Sequence, residues 1–255
     1  MSDYPHGYPA ESGLHALSPD FFSTETPLLY CPFDGDDEDK SGNGRHLQQS
    51  ANLTWGPGAT RDGRLARVLT GLGQLTLINA SHNQDFNLQE ITVVGRFRFT
   101  DAICVLAGMY SLTSGAEADN RPWVLLRGTS SDTNYLGGLA ALWEYGAGST
   151  AYIVYGGATD AKLATRGNEW VTCALRKKIY DATNTQLDLW VGRHKNFPAT
   201  TQTGADSTGG ANTLLYVGGD PSGTARVNGG VQDLMIWGSA LPDEAIESGI
   251  ISGGE

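Results

Sequence analysis

Cysteine, basic charge and long apolar runs are all scarce in this chain, and each shortage removes a class of protein. Cys31, Cys104 and Cys173 are the only cysteines among 255 residues. They stand far apart in strand-like runs with no C-x-x-C spacing, which argues against a zinc ribbon or a dithiol redox motif, and an odd count makes a poor disulfide framework. They read as buried free thiols. Lys and Arg number 17 against 28 Asp and Glu, leaving a net charge of −11. Nucleic-acid surfaces need clustered cations that displace counterions, so neither DNA nor RNA is an expected partner. No apolar stretch approaches the roughly 18 residues of a membrane-spanning helix. Met1 to Gly13 carry neither a basic nor an apolar region, so no signal peptide is expected.

Catalytic signatures are missing too. His6, His15, His46, His82 and His194 show no H-E-x-x-H spacing, and there is no G-x-S-x-G and no P-loop. Retaining glycoside hydrolysis needs two carboxyls about 5 Å apart on one face. Glu90, Glu144, Glu169 and Asp188 lie singly on different segments, with no Glu-x-Asp-x-Glu run. The expectation is a protein that is not an enzyme.

Glycine is what the chain has in excess, 34 residues, roughly twice the usual share. The glycines sit between short apolar runs, which predicts turns joining many strands. Strands are expected at Leu28–Phe33, Leu53–Trp55, Ala66–Leu69, Gln74–Ile78, Ile91–Phe99, Ile103–Gly108, Trp123–Arg127, Leu139–Tyr145, Tyr152–Tyr155, Glu169–Arg176, Gln186–Gly192, Leu214–Val217 and Val231–Trp237. In Gln186–Val191, Leu187, Leu189 and Val191 share one face and Asp188 and Trp190 the other, as a pleat of period two requires. Only Pro242–Ile251 has helical spacing, with Ala245, Ile246 and Ile250 on one stripe. Thr200 to Asn212 is the longest polar loop. The fold class is all-β, an antiparallel jelly-roll β-sandwich with a short C-terminal helix. Residues 1–26, with Pro5, Pro9 and Pro19 and no regular period, form an extended N-terminal arm before a domain at 27–255. Tyr4, Tyr8, Phe21 and Phe22 are its expected assembly contacts, since aromatics anchor interfaces.

The most unusual stretch is Leu28 to Gly44, where an apolar strand runs into five carboxylates among six residues, Asp34, Asp36, Asp37, Glu38 and Asp39, then a Gly-rich turn. Such a cluster repels itself unless a cation relieves it, and a hard divalent ion with oxygen ligands is the simplest relief. Calcium is the expected cofactor. The loop is not an EF-hand, because Gln48 stands where that loop, counted from Asp37, has its bidentate Glu.

Three stretches resemble the laminin-G-like and concanavalin A-like lectin jelly-roll superfamily. They are Leu29-Tyr30-Cys31-Pro32-Phe33-Asp34-Gly35 with Asp39-Lys40-Ser41-Gly42-Asn43-Gly44; Glu169-Trp170-Val171-Thr172 through Leu187, Trp190, Val191 and Gly192; and Leu215-Tyr216-Val217-Gly218-Gly219 with Gly230 to Trp237 and Ala240-Leu241. Together they span about Leu28 to Ile250. Gln232 replaces the first Asp of the family's closing pair, and Gly192-Arg193 its usual Asp-Gly turn. The resemblance implies that first and last strands lie side by side, which would place Asp233 near the acidic loop. Asp34, Asp39, Asn43 and Asp233 are then the expected ligands of a structural calcium. It also implies carbohydrate binding, for which Trp143, Tyr145, Tyr155 and Trp190 are the candidate sugar-stacking aromatics.

The function expected is non-catalytic recognition or attachment on a virion or extracellular surface, as in a phage capsid decoration or fibre-tip protein. Its partners would be other virion or surface proteins held through the arm, with a glycan as a further partner and a homo-oligomer allowed. A secreted or cell-surface lectin domain and a jelly-roll glycoside hydrolase are the alternatives.

Overall fold

The computed structural model describes residues 15–50, 53–58, 64–69, 73–99, 104–111, 122–127, 139–144, 150–155, 170–181, 184–192, 194–195, 200–203, 213–221 and 227–254. One antiparallel sheet of nine strands is built from β1 (Leu29–Cys31), β3 (Thr54–Pro57), β4 (Leu65–Leu69), β6 (Ile91–Phe99), β11 (Trp170–Ile179), β12 (Asn184–Val191), β13 (His194–Lys195), β14 (Thr200–Thr203) and β16 (Gly229–Trp237). The other has seven: β2 (Leu47–Gln49), β5 (Leu75–Leu77), β7 (Cys104–Ser111), β8 (Val124–Arg127), β9 (Leu139–Glu144), β10 (Thr150–Tyr155) and β15 (Thr213–Val217). The nine-stranded sheet runs β13-β12-β11-β6-β16-β4-β3, with β14 added to β12 and β1 to β16; the seven-stranded sheet runs β10-β9-β8-β7-β15-β5-β2.

Alternation decides what lies between the sheets. Leu187, Leu189 and Val191 of β12, Val171, Cys173 and Leu175 of β11, and Ile91, Val93 and Phe97 of β6 meet Leu106, Met109, Trp123, Leu215 and Val217 from the opposite sheet in one buried cluster. All three cysteines are free and buried, as expected. The intervening residues of β6, β11, β12 and β16 face outward, yet they are buried as well. Val94, Ala174, Trp190, Met235 and Trp237 form a second cluster with Leu17, Phe22, Leu241, Ile246 and Ile250. Its outer layer is the helix α1 (Asp243–Ser252) together with the segment around Leu17 to Phe22.

That second layer includes part of the segment expected to form the arm. Leu17 is fully buried, and Phe22, 2% exposed, packs tilted on Trp237 with ring centroids 5.6 Å apart. Gly249 of α1 makes this contact possible, because a Cβ there would stand 2.3 Å from the Phe22 ring. The aromatics of a Pro-broken segment have no period of their own, and here they take it from the sheet face they cover. Leu17 and Phe22 of the expected arm thus pack against the sheet and α1. Of the other expected arm contacts, Phe21 is 38% exposed, and Tyr4 and Tyr8 lie outside the described residues.

Element bounds differ where polar residues pair by backbone alone. The expected loop at Thr200 begins as β14, whose Thr200 to Thr203 pair with Leu187 to Asn184 of β12. β2 and β13 carry too few apolar residues to announce themselves.

Candidate functional site

β1 and β16 lie side by side, with Leu29 opposite Ile236 and Cys31 opposite Leu234. The same edge of β16 is shared: β4 covers Gly229 to Val231 and β1 covers Leu234 to Ile236. Between them the register against β6 slips, and Asp233 adopts a left-handed φ of 54°. One extra residue at a bulge re-aims a side chain. Here the re-aimed group is the Asp233 carboxylate, fully buried on the outer face.

Its oxygens are taken. Arg64 Nη1 donates to Oδ1 at 3.3 Å; Arg96 Nη1 and the Leu17 N–H donate to Oδ2 at 3.2 and 3.1 Å. Arg64 reaches further, with Nε on Asp34 Oδ2 at 3.2 Å, while Leu65 N–H donates to Asp34 Oδ1 at 2.9 Å. Arg96 Nη2 donates to the Gly253 carbonyl at 2.8 Å, and His15 N–H donates to that same carbonyl at 2.9 Å. Both ends of the described chain are thus tied to one ion cluster. Burial lifts the Asp233 carboxyl above its ordinary value in spite of the opposing pull of Arg64 and Arg96. Tyr30, whose hydroxyl donates to the Leu17 carbonyl at 3.0 Å, is pushed up to about 12, by burial first and the Asp233 charge second.

The Gly-rich turn works differently. Asp39 accepts the N–H groups of Tyr30, Ser41 and Arg45 at 3.0, 2.9 and 2.9 Å. Gly42 and Gly44 supply the left-handed φ values, 89° and 71°, that wrap the chain around that carboxylate. Asn43 Nδ2 donates to the carbonyls of Pro27 and Leu28 at 2.9 and 3.2 Å, clamping the turn to the start of β1. The remaining acids find cations: Lys40 bridges Asp36 and Glu38, and Arg67 binds Asp37 while lying 4.0 Å from the centroid of the Trp55 ring.

Of the four residues assigned to calcium, the fold therefore brings Asp34 and Asp233 together and gives Asp39 and Asn43 other work. The donor set does not fit a resident calcium. Each carboxylate already accepts from nitrogen donors, and no group of three or more His, Cys, Asp or Glu that could hold a metal exists among the described residues. Sequence reasoning missed the arginines. Arg96 and Arg176 sit on strand faces that alternation marks as outward, which ordinarily means solvent, and only the apolar Val94, Ala174 and Trp190 on those same faces hinted at a cover.

Trp190 is the other correction. It is fully buried under α1, with Arg176 and Lys195 each 5.1 Å from its ring centroid and its Nε1–H donating to Glu247 Oε1 at 3.5 Å, so it cannot stack on a sugar. Trp143 and Tyr155 belong to β9 and β10, with side chains outside the described set, and Tyr145 lies outside it altogether. Trp170 keeps part of its surface in solvent. It lies across Gly230, where a Cβ would come 2.9 Å from its ring, and Arg98 stands 5.3 Å from its centroid.

These features define a two-sheet antiparallel β-sandwich whose outer face is sealed by its own ends. No protein-family model matches the chain, and no curated protein matches it. Among solved structures it is similar to domain 4 of AbnA, the extracellular GH43 arabinanase of Geobacillus stearothermophilus in complex with arabinotriose, at 15% identity and a TM-score of 0.59 over 88% of this chain and 98% of that one. It is also similar to the binding domain of botulinum neurotoxin DC, solved in complex with SialylT and with rat synaptotagmin II, at 14% identity and a TM-score of 0.58 in each case. There the match covers 90% of this chain and 52% of the toxin chain, so this chain spans about half the length of the toxin binding domains.

Proposed function

We propose that this chain is a non-catalytic recognition module that binds glycans. The observation that carries this reading is the likeness to arabinanase domain 4, which covers nearly all of a domain solved with arabinotriose bound. The engagement of the strand carboxylates supports it. Asp188 is fully buried against Arg176 and Lys195, and Glu90 accepts the Ile179 N–H at 3.1 Å, so neither is poised as a hydrolytic acid or nucleophile. Trp170 is a described, partly exposed strand tryptophan that offers a ring to a sugar, with Arg98 beside it to select hydroxyl or carboxylate groups.

Tryptophan fluorescence titrated with arabino-oligosaccharides and sialylated oligosaccharides tests the proposal. Binding in the tens of micromolar, about −6 kcal/mol, that weakens at least tenfold in Trp170→Ala is the expected result. Silence across a glycan array, or release of reducing sugar from any of the ligands, overturns it. The finer setting, a module displayed on a virion, is tested by co-purification with capsids and its loss on deleting residues 1–14.

A further inference from the structure

We propose that the Arg64 guanidinium is a built-in counter-ion occupying the cation position between the acidic loop and the last strand, so that the strand junction is closed without a metal and removing Arg64 uncovers a calcium site. Two carboxylates 199 residues apart in sequence, at positions 34 and 233, both point at this one side chain, at 3.2 and 3.3 Å. Opposite-charge convergence of this kind is what a divalent ion produces when it staples two strand ends. Arg64 is suited to replace it, since a guanidinium is always charged and its planar fork can address two acceptors at once. Arg64 is tethered as well, at the start of β4 and hydrogen-bonded through its own carbonyl to the Gly58 N–H at 2.9 Å. A tethered cation cannot be chelated or diluted away.

The position is a built one. Asp233 is fully buried, Asp34 is held by the Leu65 N–H, and the bulge that aims Asp233 is fixed by its own N–H on the Pro32 carbonyl at 3.3 Å. Truncating Arg64 takes from Asp34 its cationic partner and leaves Asp233 with Arg96, so that Asp34 Oδ2 and Asp233 Oδ1 both lose their donor. A hard cation with carboxylate and water ligands is the chemistry that fits the gap. This inference is independent of what the module binds.

The experiment is thermal unfolding of the whole chain in 10 mM calcium chloride, in EDTA, and in sodium chloride of equal ionic strength. Wild type and Arg64→Lys are expected to melt at the same temperature in all three. Arg64→Ala is expected to melt lower in EDTA and to recover in calcium only, by about 3 °C at ten times its dissociation constant. Adding Asp233→Asn to Arg64→Ala is expected to abolish the recovery. A wild type stabilised by calcium overturns the proposal. So does an Arg64→Ala variant that is insensitive to calcium, or one that fails to fold even in its presence. Terbium luminescence reads the same site without melting, with signal expected from Arg64→Ala and none above a surface-mutant control from wild type; the reverse pattern overturns the proposal.

Discussion

Replacing Asp233 by Asn isolates the charge at the centre of the ion cluster. Asparagine has nearly the same volume and is among the residues that tolerate a left-handed backbone, so the φ of 54° at this bulge is kept. Alanine would add backbone strain and confuse the result. What changes is electrostatic: Arg96 is fully buried and Arg64 only 15% exposed, and both lose the carboxylate they face. An arginine cannot discharge itself by losing a proton. Breaking a buried pair from one side costs about 3–5 kcal/mol. For a chain of 255 residues that is a fall in Tm of about 6–10 °C, taking roughly 2 °C per kcal/mol at this size. The assay is urea unfolding followed by tryptophan fluorescence, with unchanged m to show that the unfolded state is the same. Glu38→Gln serves as the control, because its partner Lys40 and Glu38 itself are 40% and 61% exposed, and such pairs are worth about 0–1 kcal/mol. If Asp233→Asn costs no more than this control, the buried cluster is not what ties the chain ends to the sheet.

Three further outcomes follow from the same contacts. Gly249→Ala would stabilise an ordinary helix by about 1 kcal/mol; here it is expected to lower Tm, since the new methyl meets the Phe22 ring. Phe22→Ala is expected to cost about 3–5 kcal/mol and to speed proteolytic cleavage between residues 15 and 26, because the ring on Trp237 is what seats that segment. Acid unfolding should start at the strand-junction turn. Burial alone would raise the Asp39 carboxyl, but the N–H groups of Tyr30, Arg45 and Ser41 and the Ser41 side chain more than offset it, holding it below the ordinary 3.8. A depressed carboxyl contributes stability that is whole above the unfolded value and lost as pH falls through the folded one. Asp85 and Asp243 act in the same direction, while the raised Asp233 acts in the opposite one, its contribution present below 3.8 and fading as pH rises. A Tm–pH curve of Asp39→Asn should therefore fall less steeply below pH 3.8 than that of wild type.

The sandwich was legible because its strands obey a two-residue period against glycine turns. β6 was expected at the bounds it has, and α1 is displaced by one residue from the helix expected at Pro242–Ile251. The pairing of β1 with β16 was legible through the family resemblance. What escaped was whatever depends on two faces of one strand being buried at once. Trp190 on β12 was read as outward, and it is, but outward here means under a helix that follows it by some fifty residues. Edge strands such as β14 escaped for another reason: their pairing is by backbone, and four polar residues carry no apolar period to reveal it.

The acidic loop shows why a charge cluster can be located from sequence while its partner cannot. Repulsion among five carboxylates within six residues is a local property, and it announced that a cation must be near. Which cation is a property of the fold. Arg64 lies 30 residues beyond Asp34 and Arg67 the same distance beyond Asp37, just before and within a strand whose only role by pattern was to continue the sheet. Calcium and a guanidinium answer the same electrostatic need, but they leave different marks: a metal loop must keep oxygens bare for its ion, whereas a loop neutralised from within can spend them on N–H groups. In this chain Asp34 and Asp39 are both spent in that way, on Leu65 and on Tyr30, Ser41 and Arg45. An acidic turn whose carboxylates are consumed in folding the turn itself draws its counter-charges from its own Lys40 and from Arg64 and Arg67 of the segment it abuts.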